Sequence, residues 1–138
     1  MAGELVPLVL LPRYTTLAGK AGDFATSAVD TTPYERALVT LWRGKIIGTV
    51  GPPPPVPPPW DFGFWLECST DQVSWYPMQP QPTPWDGTPT DGWVLVENTQ
   101  KQASVELPRR WLRYRVRLLN DDNIVSCWAV GHLLKRVP

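Results

Sequence analysis

The chain has 138 residues, with 13 Lys plus Arg balanced by 13 Asp plus Glu. That length fits one domain with one core, and the zero net charge excludes long-range attraction to nucleic acid or to an anionic membrane. Eight Trp and 17 Pro in so short a chain point to a sandwich core or to contact surfaces, because each indole offers a large apolar area and one N–H donor.

Residues 5–11, Leu-Val-Pro-Leu-Val-Leu-Leu, form a candidate first strand or an extended arm, with Pro7 and Pro12 confining it to an edge. The run lacks a basic flank and is broken by proline, so it does not read as a secretory signal. It also falls far short of the roughly 20 apolar residues of a membrane helix. Residues 13–23 are small, polar and glycine-containing and are expected to be irregular, so residues 1–23 read as an extended N-terminal arm ahead of a domain at 24–138. Short strands follow at 24–29 and 36–42, with Leu38 and Trp42 opposing Val39 and Leu41.

Residues 51–60 read Gly-Pro-Pro-Pro-Pro-Val-Pro-Pro-Pro-Trp. Proline lacks an N–H and fixes φ near −65°, so this run cannot sit inside a sheet and takes the polyproline II form. Residues 52–59 then span roughly 25 Å as a stiff spacer. The next strand, at 62–68, puts Phe62, Phe64, Leu66 and Cys68 on one face and Trp65 and Glu67 on the other. Ser69, Thr70, Asp71 and Gln72 make a turn, and a second proline-rich stretch occupies 77–92.

The clearest pattern lies at 111–118. Leu112, Tyr114, Val116 and Leu118 alternate with Trp111, Arg113, Arg115 and Arg117, which places four apolar side chains toward a core and three guanidinium groups with an indole on the other face. On a solvated face, Arg115 would be replaceable at little cost. Asn120, Asp121, Asp122 and Asn123 turn the chain into a second apolar run at 124–130, followed by a last strand at 131–137. No window sustains a helical period. The expected fold class is all-β, an antiparallel β-sandwich or jelly roll with proline-rich loops.

Chemistry is sparse. His132 is the sole histidine and sits among apolar residues, no Gly-x-Ser-x-Gly elbow or phosphate-binding glycine loop is present, and one His with two separated Cys does not build the usual zinc site. The carboxylates at Asp61, Glu67, Asp71, Asp86 and Asp91 fall in or near turns, where Asp is expected for local reasons. Neither catalysis nor a cofactor nor a metal is expected. Cys68 and Cys127 read as free, buried thiols. The arginine row reads either as a sheet face paired across strands with Asp or Glu, or as a contact face for another protein.

Phe64 through Trp75, with Ser69, Asp71 and Trp75 in a Ser-x-Asp-x-x-x-Trp arrangement, and the Arg113-Tyr114-Arg115-Val116-Arg117 strand together resemble the galactose-binding-like (discoidin-type) jelly rolls over roughly residues 34–134. Gln72 stands where that family usually has Gly. In style the chain also resembles tailed-bacteriophage virion components such as head-decoration proteins. That resemblance implies a structural subunit, made in the host cytoplasm and incorporated into the virion, which binds the major capsid protein or neighbouring copies. The residues expected to touch partners are Leu8, Leu10, Pro54, Val56, Trp60, Trp85, Arg113 and Arg115. The alternative is a carbohydrate-binding module that uses exposed Trp residues such as Trp60, Trp75, Trp85 and Trp93 to stack on a glycan.

Overall fold

In the computed structural model, which describes residues 3–48, 62–77, 98, 100–118 and 120–136, period-two patterning becomes two facing antiparallel sheets. The strands are β1 (Leu5–Ala18), β2 (Gly22–Ala25), β3 (Val29–Asp30), β4 (Tyr34–Arg43), β5 (Phe62–Ser69), β6 (Tyr76–Pro77), β7 (Lys101–Glu106), β8 (Trp111–Leu118) and β9 (Ile124–Lys135). One sheet has the order β1-β9-β4-β7. The other runs β2-β8-β5-β6, with β3 also paired to β8. No helix occurs among the described residues.

The core between the sheets is supplied strictly by alternation. Leu112, Tyr114, Val116 and Leu118 of β8 are buried, as are Phe64, Leu66 and Cys68 of β5 across the same sheet. Ala37, Val39 and Leu41 of β4, Val105 of β7, and Val125, Cys127, Ala129 and Leu133 of β9 meet them from the other sheet. Cys68 and Cys127 are both free and buried. Burial pushes the Cys127 thiol up to about 12, which leaves it a small apolar side chain at neutral pH.

The N-terminal segment departs from the arm reading. Residues 5–18 form β1, an edge strand paired antiparallel with β9 from Leu5↔Leu134 to Ala18↔Ile124. Leu8 and Leu10, expected at a partner surface, are 3% and 7% exposed and belong to the core with Leu11 and Leu17. The physical reason is that β9 would otherwise be an unpaired edge with an uncovered apolar row. Pro7 and Pro12 are tolerated because β1 is itself an edge and because its register shifts between Val9 and Leu11 and again between Leu11 and Thr15.

Residues 124–135, expected as two strands, are one. Gly131 lets the β9 and β4 backbones approach closely rather than breaking the strand, since a Cβ there would collide with the Leu38 carbonyl oxygen. The proline-rich stretch at 51–60, nearly all of that at 77–92, and the partner residues Pro54, Val56, Trp60 and Trp85 lie outside the described residues.

Candidate functional site

Each sheet has an outer face, and the two are built of opposite chemistry. On the β2-β8-β5 sheet, β8 turns Arg113, Arg115 and Arg117 outward between carboxylates of its neighbours. Arg113 Nε donates to Glu67 Oε1 at 2.9 Å, and Arg115 Nε lies 3.1 Å from Glu67 Oε2 as an ion pair. Arg115 Nη1 donates to Asp23 Oδ2 at 2.8 Å, and Arg117 Nε to Asp23 Oδ1 at 2.8 Å. One chain of charge, Arg113–Glu67–Arg115–Asp23–Arg117, therefore fastens β5 and β2 to β8.

Indoles fill the gaps in this chain. The Arg115 and Arg117 guanidinium carbons sit 4.2 and 5.0 Å from the Trp65 ring, and Arg113 sits 4.0 Å from that of Trp75. Trp65 is fully buried and Glu67 nearly so, although both point away from the core. Arg113 and Arg115 are thus brought together as expected, but as an internal latch. For Asp23, burial alone would raise the carboxyl pKa. The bonds and charges of Arg117 and Arg115 overcome that and hold it below the ordinary value.

The two motifs that carry the jelly-roll resemblance meet at this latch. Ser69 Oγ accepts from the Gln72 N–H at 2.8 Å, and Asp71 Oδ1 accepts from Val73 and Ser74 at 2.8 and 3.0 Å. The Ser74 and Val73 amides hold the Asp71 carboxyl below its usual range. The turn delivers Trp75 onto Arg113 and sets Gln72 at φ +62°.

The outer face of the β1-β9-β4-β7 sheet has little charge on its β1-β9-β4 part. Trp42 and Trp128 are cross-strand partners whose rings stack at 4.2 Å. Tyr14 meets Trp128 edge-on at 5.4 Å, and Arg13 lies 5.5 Å from the same ring. Both come from the second β1 bulge, where Tyr14 is held at φ +64° and left 80% exposed. A bulky residue in that region is a backbone outlier. Beside this aromatic group, a groove of about 410 Å³ runs over β1, β9 and β4 between Pro7, Val9, Arg13, Thr40, Val130 and His132. Leu5 and Val9 of β1 are more than half exposed.

Trp42, Trp128, Tyr14 and Arg13 were not among the sequence-derived site residues. Alternation set Trp42 on the face opposite Val39 and Leu41 without telling which of the two faces the core, and its pairing with Trp128 depends on a register that no local pattern reveals. A second concavity, about 530 Å³, lies at the sandwich end between Thr31, Leu107, Arg109, Arg110 and Arg136, where Arg110 is engaged by Asp30 at 2.9 Å. Among the described residues, no three His, Cys, Asp or Glu gather as metal ligands. Comparison of the chain with family models, with curated proteins and with solved structures returns no match.

Proposed function

We propose that this chain is a non-enzymatic structural virion protein, a capsid-decoration or accessory subunit that binds other protein chains. The observation that carries the reading is the contrast between the two outer faces. Arginines on the β2-β8-β5 sheet are consumed by Glu67 and Asp23, whereas Val9 and Tyr14 stand exposed near the Trp42–Trp128 stack, with Leu5 exposed farther along β1. Exposed apolar and aromatic side chains gathered on one rigid sheet are the usual material of a protein interface. The resemblance in style to head-decoration proteins supplies the virion setting.

The test has two arms. Sedimentation velocity of the full chain at micromolar concentration is expected to show a species heavier than a monomer, or cosedimentation with assembled particles. An antibody to the protein should label intact virions. A strictly monomeric chain that neither cosediments with particles nor is found on them overturns the proposal.

One observation favours a second reading, a carbohydrate-binding module. Tyr14 presents its ring to solvent above two stacked indoles, the kind of platform on which the apolar face of a pyranose stacks. A glycan panel titrated into the full chain separates this reading from the first.

A further inference from the structure

The end of the sandwich away from the β8–β9 turn gathers arginines that the chain itself does not neutralise. The concavity of about 530 Å³ there lies between the segment joining β3 to β4, the segment joining β7 to β8, and Arg136, which follows β9. Its described lining holds three guanidinium groups, those of Arg109, Arg110 and Arg136, against the carboxylate of Asp30. That carboxylate is fully engaged. Its Oδ2 accepts from Arg110 Nε and Nη2 at 3.2 and 2.9 Å, and its Oδ1 accepts from the Thr32 N–H and hydroxyl at 3.0 and 2.6 Å. Arg109 and Arg136 enter no ion pair among the described residues, whereas Arg36, Arg113, Arg115 and Arg117 each have a carboxylate.

The arginine pair is held in place from both ends. Thr31, 2% exposed, directs its hydroxyl at the Arg109 and Arg110 carbonyls at 3.2 and 2.7 Å, and its N–H donates to the Arg110 carbonyl at 2.7 Å. The Arg109 guanidinium carbon lies 4.3 Å from the Tyr76 ring centre, and its Nη1 donates to Thr70 Oγ1 at 3.3 Å. Arg110 lies 4.9 Å from the Trp111 ring centre. A guanidinium already stacked and aimed loses little freedom on meeting a ligand.

Planar forks of this kind match the oxygens of a carboxylate or a phosphate. Asp30 on Arg110 is a carboxylate already seated in the site. A nucleic-acid backbone would call for a long-range positive field, which zero net charge denies. Leu107 and Pro108 add an apolar part to the wall, suited to the side chains of a protein segment. Resting on the reading of this protein as a subunit that binds other protein chains, we propose that this end binds an acidic segment of a partner chain, whose carboxylates pair with Arg109 and Arg136 while Asp30 competes for Arg110. It is a second contact, apart from the apolar face of the other sheet and opposite to it in salt response.

A fluorescently labelled hexaglutamate peptide titrated into the full chain at about 20 mM NaCl tests the proposal by anisotropy, with hexaglutamine as control. Saturable binding below about 1 mM is expected, at least tenfold weaker in the Arg109→Ala, Arg136→Ala double variant and at about 0.5 M NaCl. Asp30→Asn, which removes the competing carboxylate, should tighten it severalfold, and Arg13→Ala should leave it unchanged. Arg109 and Arg136 are exposed, so the double variant should keep the wild-type urea midpoint. No saturable binding, binding that survives loss of both arginines, or equal binding of hexaglutamine overturns the site. If the chain still cosediments with particles in that case, the subunit reading stands without it. Hexaglutamate binding as expected by a chain found on no particle keeps the site and removes the virion reading. Inorganic phosphate that displaces the peptide at equal or lower concentration overturns the acidic segment in favour of a phosphate ligand.

Discussion

Arg115 Nη1 donates to Asp23 while its Nε lies against Glu67, so one side chain ties the strands on both sides of β8 and covers Trp65 with its guanidinium plane. The sequence placed Arg115 correctly on the outer face, but its partners come from residues 67 and 23, and their distance along the chain hid how far the latch is buried. Arg115→Ser leaves the buried Glu67 with one guanidinium instead of two and opens the Trp65 face. A loss of about 2 kcal/mol is expected in urea unfolding, where a solvated arginine would cost almost nothing. Val116→Asp, which buries a charge with no partner, should cost more, about 3–5 kcal/mol. Equal and small effects would reject this register. Gln72, at φ +62°, occupies the position where the resembling family uses glycine. Gln72→Gly relieves left-handed strain against a small loss of unfolded-state restriction, so a gain of up to about 1 kcal/mol is expected in the same measurement.

Among the elements, β8 was legible because strict alternation of two residue classes admits one secondary structure and one orientation. β1 was half legible. Its prolines correctly confined it to an edge, but the unbroken Leu8-Val9-Leu10-Leu11 run has no period, and the bulges that restore alternation after Val9 and Leu11 depend on β9. Native-state hydrogen exchange on the isolated monomer should therefore show β1 amides bonded to β9 protected nearly as well as those of β9. Leu10→Ala should cost about 2–4 kcal/mol. Rapid exchange throughout residues 5–11 would restore the arm. β2 is a different case, short and exposed on the edge of its sheet and held to β8 largely through Asp23. Asp23 is depressed in the fold, so its contribution is present above the ordinary carboxylate value near 4 and is lost as pH falls through the depressed one. Asp30, held down by Arg110 and Thr32, and Asp71 act with the same sign. Urea unfolding from pH 6 down to about pH 2.5 should show wild-type stability falling, with a shallower fall in Asp23→Asn. An unchanged slope would remove Asp23 from the account.

At the scale of the whole molecule, zero net charge and two unlike faces give a test of which face joins this protein to others. Composition made the sandwich legible, because Trp and period-two runs without helical stretches admit little else. The arginine row was readable as a sheet face paired with Asp or Glu, but which carboxylates pair with it, and that the apolar edge is left outside, is settled by long-range pairing. At 1 M salt the screening length shrinks to about 3 Å, so an interface made of exposed ion pairs weakens steeply. Apolar and aromatic contacts persist or strengthen when an excluded salt such as sulfate is used. An assembly joined through Tyr14, Val9 and the Trp42–Trp128 stack is expected to keep its sedimenting mass between 0.05 and 1 M NaCl, and to gain mass in ammonium sulfate. The latch should respond little to the same salt, because Glu67 is buried and Arg115 largely covered, so the unfolding midpoint should hold in parallel. Dissociation at 1 M NaCl with an unchanged unfolding midpoint would move the joint to charged groups, with the arginine-lined end at Arg109, Arg110 and Arg136 as the first place to mutate.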